Sequence, residues 1–164
     1  MIRYINQNIT TVIPSENSFG IIMHGVNCQR AMGSGVALAL MTKWPKVRSD
    51  YMTIAKKDMI PGMIQVVTVE EHISVINCFT QKFYGRTKGV RYANPAAIEQ
   101  CFKLVVAANE EYEKYAEEHK LLKSKVELYM PRIGCNLGGL TWNEVGPIVE
   151  SVFVDRLVTV CDWS

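Results

Sequence analysis

Five short runs rich in isoleucine and valine alternate along the chain with longer segments of helical spacing, and this alternation restricts the fold more than any other feature. The runs are Phe19 to Asn27 ("FGIIMHGVN"), Met63 to Val69 ("MIQVVTV"), Ile73 to Phe79 ("ISVINCF"), Lys125 to Met130 ("KVELYM") and Arg156 to Cys161 ("RLVTVC"). Each is short, β-branched and bounded by chain breakers, as buried strands are. Helical spacing fills Ser34 to Trp44, Lys46 to Asp58, Asn94 to Lys120 and Thr141 to Phe153. Asn94 and Pro95 supply an N-cap and a first helical residue for the third of these, while Gly146-Pro147 is expected to disturb the first turn of the fourth. Such alternation predicts an α/β domain, a central mixed sheet covered by helices on both faces as a three-layer α/β/α stack.

The chain has 164 residues, 48% of them hydrophobic, enough for one core and too few for two, so residues 1–164 are read as one domain. A net charge of +2, from 18 basic and 16 acidic side chains, falls short of the footprint of a dedicated DNA binder and leaves room for a small anionic ligand. The opening "MIRYINQNITTVI" has an arginine at once and polar residues throughout, so it lacks the apolar core of a signal peptide, and the five strands expected lie beyond it. A cytoplasmic, monomeric protein without a membrane span is expected. Cys28, Cys78, Cys101, Cys135 and Cys161 are odd in number and scattered, which suits a reducing compartment and offers no metal-ligand spacing.

In α/β sheets ligands collect beyond the carboxyl ends of strands, where loops lead into helices. Two such loops here carry glycines. One follows His24 and Asn27 and contains Gly33-Ser34-Gly35-Val36; the other follows "ELYM" and runs Gly134-Cys135-Asn136-Leu137-Gly138-Gly139. Glycine allows close backbone approach, and helix N-termini present N–H groups to anions, so the two loops read as walls of one phosphate site. Neither is a Walker motif or a GxGxxG fingerprint.

Together, "HGVNCQRAMGSGVA" and "PRIGCNLGGLTW" resemble the macro domain family, in the branch that contains ADP-ribose 1″-phosphate phosphatases. The likeness runs from "NQNIT" to the last strand. It implies ADP-ribose binding across the strand ends, with Asn8 and Ile9 at the adenine, Asn8 standing where an aspartate is usual and accepting from the adenine amino group through its amide oxygen. It further implies diphosphate contacts from Gly33, Ser34, Gly35 and Val36, closure by Gly134 to Gly138, and Asn27 near the distal ribose. No metal or cofactor is implied.

His24 stands where the phosphatase-like branch has its catalytic histidine. With an ordinary pKa near neutrality it can orient or deprotonate water, or protonate the leaving oxygen. The resemblance thus implies a metal-independent phosphatase that converts ADP-ribose 1″-phosphate to ADP-ribose and inorganic phosphate, with His24 and Asn27 as the catalytic pair. Two alternatives stay open: a non-enzymatic reader of ADP-ribose, and a hydrolase that removes ADP-ribose from protein or nucleic acid. The second loses support because Gly138 occupies the position of that mechanism's aspartate and Gln81 that of its lysine, with Lys82 one residue away and on the opposite face of an extended strand. Cys28 and Cys135 read as packing residues rather than nucleophiles. The basic and aromatic segment Phe83 to Pro95 reads as a solvated loop or a flap over the distal ribose, and nucleic acid is not an expected partner.

Overall fold

A computed structural model describes residues 1–163. Six strands form one mixed sheet in the order β1-β6-β5-β2-β4-β3: β1 (Ile2–Asn6), β2 (Ser18–Asn27), β3 (Ile64–Glu70), β4 (Ile73–Gln81), β5 (Lys125–Met130) and β6 (Val158–Asp162). All neighbours are parallel except the β3·β4 pair, so the carboxyl ends of β1, β6, β5, β2 and β4 point the same way. This is where the glycine loops leave the sheet.

Alternate side chains of the central strands feed two cores. On one face Ile21, Met23, Ile76 and Cys78 pack with Ile98 and Phe102 of α3 (Pro95–Glu118) and Val145 and Val149 of α4 (Trp142–Val152). On the other, Ile22, Val26, Val75 and Phe79 pack with Leu40 of α1 (Gly35–Lys43) and Val47 and Tyr51 of α2 (Lys46–Tyr51). The three layers expected from the alternation of elements are present.

Three local readings are corrected. The helix expected from Lys46 to Asp58 stops at Tyr51, where the chain tightens into i→i+3 bonds, Thr53 N to Asp50 O at 3.1 Å and Ile54 N to Tyr51 O at 3.3 Å. The opening segment contains an edge strand: β1 pairs with β6 alone, so only Ile2 and Ile5 of its five residues are turned even partly inward and its apolar signal is thin. Pro147 lies inside α4 without ending it. Its missing N–H falls just past the first turn, and a capping box between Thr141 and Glu144 secures that turn.

Candidate functional site

A cavity of about 1260 Å³ opens at the strand carboxyl ends. It brings together residues that are far apart in sequence: Asn8 and Ile9 beyond β1, His24 and Asn27 at the end of β2, Gly33 to Val36 leading into α1, and Gly134 to Gly138 beyond β5. Every site residue inferred from the sequence lies on its wall. The volume exceeds the roughly 300–1,000 Å³ of a drug-sized pocket and suits an elongated ligand.

The first glycine wall is shaped for close backbone approach. No atom lies within 4 Å of where a side chain would begin at Gly33 or Gly35, and Gly35 has φ +60°. Ser34 occupies the N-cap of α1 without a side-chain hydrogen bond to the helix, so its hydroxyl takes none of the first-turn N–H groups. The second wall is stitched to its surroundings. Leu140 N donates to Gly134 O at 2.9 Å, and Ala93 N donates to Gly138 O at 2.9 Å. Gly139, at φ +81°, is pressed against the Val90 carbonyl so closely that a methyl group would collide with it.

Asn27 builds the turn that precedes the first wall. Its Oδ1 accepts from Gln29 N at 2.9 Å, Ala31 N at 3.4 Å and the Tyr51 hydroxyl at 3.0 Å, while Nδ2 donates to Ala31 O at 2.7 Å. One Nδ2 hydrogen remains for a ligand. Asn8 likewise has its oxygen engaged, accepting from Thr10 N at 3.0 Å and from the Thr10 hydroxyl at 2.8 Å. With two hydrogen bonds already made to Thr10, this oxygen is the engaged end of the amide, and Nδ2 is the end without a protein partner.

His24 forms part of the cavity floor and is 1% exposed. Nε2 lies 2.5 Å from Asn77 Oδ1, and Nδ1 is buried without a protein partner. Burial outweighs the hydrogen bond to Asn77 and lowers the ring's pKa from 6.5 to about 4. The ring is neutral at pH 7, which removes donation of a proton to a leaving oxygen from the roles the sequence left open.

At Gly138 a Cβ would lie 3.0 Å from that of Ala93, so the wall is built without a side chain there. Gln81 faces the cavity and donates to Phe83 O at 2.7 Å, whereas Lys82 lines a separate depression of about 530 Å³. The cavity's one acidic residue, Asp162, is held by Arg132 through bonds of 2.8 and 3.1 Å. Burial pushes the thiols of Cys28 and Cys135 upward, which keeps them protonated.

Arg132, Asp162, Trp163 and Arg86 also line the cavity. Of these the sequence flagged only Arg86, within the flap segment. The usable signal for the others was position, since Arg132 follows β5 and Trp163 follows β6 at the same sheet edge. Among the described residues no group of three His, Cys, Asp or Glu side chains can hold a metal ion, and no helix is long and apolar enough to cross a membrane.

Fold and cavity define a three-layer α/β/α domain with a glycine-walled cavity at its strand ends. No family model matches the chain. A Saccharomyces cerevisiae ADP-ribose 1″-phosphate phosphatase is 24% identical, covering 97% of each chain. A Bacteroides thetaiotaomicron protein of unknown function superposes with a TM-score of 0.79 at 30% identity, covering 99% of this chain and 98% of the other. A macrodomain protein from Streptomyces coelicolor superposes at 0.71 with 26% identity, covering 99% of each. The chain belongs to the macro domain family.

Proposed function

We propose that the protein binds ADP-ribose in this cavity and hydrolyses ADP-ribose 1″-phosphate, with water, to ADP-ribose and inorganic phosphate. The observation that carries the reading is the meeting of two glycine-rich walls above a neutral histidine. Gly33 to Val36 and Gly134 to Gly138 hold the phosphates through backbone N–H groups, which requires no metal. Asn27 acts as a positioning residue that fixes the first wall. His24 accepts a hydrogen bond from the attacking water at Nδ1 and orients it; a ring that is neutral throughout the physiological range keeps that lone pair available. The similarity to the yeast phosphatase supports the same substrate.

A second reading, a binder of ADP-ribose that cuts nothing, is favoured by one observation, the enclosure of His24 at 1% exposure. Phosphorus NMR of ADP-ribose 1″-phosphate with purified, metal-free protein separates the two. Growth of an inorganic phosphate line with an intact diphosphate is expected. Broadened diphosphate lines with no such growth would establish the binder instead.

A further inference from the structure

The orientation of one amide at the β1 end of the cavity determines what the pocket offers a ligand. Thr10 N and the Thr10 hydroxyl both contact Asn8 Oδ1, at 3.0 and 2.8 Å. A backbone N–H can only donate, so the atom facing it is the oxygen and Nδ2 is turned away from Thr10. Asn8 lines the cavity. Its free hydrogen-bonding group is therefore an NH2 donor.

The surroundings of Asn8 suit a flat heteroaromatic ring. Ile9 and Trp163 share the cavity wall with it, and Trp163 is 66% exposed, leaving an indole face for stacking. The nearby Asp162 carboxylate is held in place by Arg132 through one hydrogen bond to each oxygen. One apolar side chain, one π face and one edge donor form a base-reading subsite whose polarity is set by Asn8.

We infer, resting on the proposed ADP-ribose reading of the cavity, that Asn8 reads the base edge by donating, so that a 6-oxopurine such as hypoxanthine is held at least as well as adenine. The oxygen of a 6-oxopurine accepts this hydrogen bond; the amino group of adenine at that place meets donor with donor. Aspartate at position 8 would keep one oxygen on Thr10 and turn the other toward the ligand. The substitution reverses the polarity of the contact at nearly constant shape.

The test is calorimetric binding of ADP-ribose and of its hypoxanthine counterpart to the wild-type protein, Asn8→Asp and Asn8→Ser. The wild type is expected to bind the hypoxanthine ligand at least as tightly. Asn8→Asp shifts the affinity ratio toward ADP-ribose by about tenfold, the scale of one mismatched polar contact. Asn8→Ser, which retains a capping oxygen for Thr10 and presents no edge group, gives a ratio between the two. A wild-type preference for ADP-ribose, or a ratio that Asn8→Asp leaves unmoved, overturns the inference while the proposed function stands. Failure of the wild type to bind either ligand overturns that function and the inference with it.

Discussion

His24 and Asn77 meet across a register pair of neighbouring parallel strands, with Nε2 2.5 Å from Oδ1 and both side chains closed off from solvent. The amide is oriented from farther out. Gln65 Nε2 donates to Asp50 O at 2.8 Å, so Gln65 Oε1 accepts from Asn77 Nδ2 at 3.0 Å and Asn77 Oδ1 is left facing the ring. His24 therefore carries its proton on Nε2 and leaves Nδ1 bare. A backbone carbonyl of α2, relayed through two side chains, thus sets the tautomer at the cavity floor.

Asn77→Leu leaves a buried ring donor without an acceptor and is expected to cost about 1–3 kcal/mol, read as a shift in the urea midpoint. Replacing both partners, with His24→Leu in addition, recovers part of that loss because the unpaired ring N–H is then removed too. Strict additivity of the two single losses would show that the 2.5 Å contact couples nothing.

Stability should also follow the titration of His24. Between its folded pKa of about 4 and its ordinary value of 6.5, the unfolded chain binds a proton that the folded chain does not. Stability therefore rises with pH across this window, is fully present above about 6.5, and is lost as the pH falls toward 4. The full difference is roughly 3 kcal/mol. Urea titrations from pH 4 to 7 on the wild type and His24→Gln measure it, and equal slopes in the two proteins would remove His24 as the source.

For turnover, His24→Ala is expected to lower phosphate release by about a hundredfold or more, the lower range for loss of a group that handles the reacting proton. ADP-ribose affinity is expected to change by less than about threefold, because the proposed phosphate contacts are assigned to the glycine walls. Unchanged phosphate release in this variant would mean that the ring only fills space.

Legibility in the sequence tracked how strongly each residue's environment is set by neighbours in the chain. The central strands and α3 were readable because burial on both sheet faces leaves continuous apolar runs, and because Asn94-Pro95 marks a helix start. Strand β1 was not, since an edge strand with one paired side needs few apolar residues. Glycine loops announce themselves, and the site residues they carry line the cavity at the strand ends. The donor polarity of Asn8 and the neutrality of His24 depend on Thr10, Asn77 and Gln65, whose side-chain orientations no linear pattern encodes.

Installing a carboxylate at Gly138 tests whether the missing aspartate is a matter of side chain alone. The Cβ would sit 3.0 Å from that of Ala93, so Gly138→Asp is expected to lose about 1–3 kcal/mol and to gain no cleavage of ADP-ribosyl linkages. Ala93→Gly in the same chain restores much of the stability. Lys82→Ala changes neither activity, because Lys82 lines the separate depression beyond the cavity. Cleavage of ADP-ribosylated protein that disappears in Lys82→Ala would reverse this assignment.

Two glycines separate the needs of folding from those of binding. At Gly139 the backbone is left-handed, with φ +81°, and a methyl group would collide with the Val90 carbonyl, so Gly139→Ala combines backbone strain with overpacking. It is expected to lower stability by about 2–4 kcal/mol. At Gly33 nothing lies within 4 Å and φ is not left-handed, so alanine fits the free protein and stability changes by less than about 0.5 kcal/mol. The new methyl group instead takes space at the wall assigned to the phosphates, and ADP-ribose affinity is expected to fall by about tenfold. Thermal unfolding and calorimetric binding of both variants decide the matter. If Gly33→Ala binds ADP-ribose as tightly as the wild type, the phosphates do not lie against this wall.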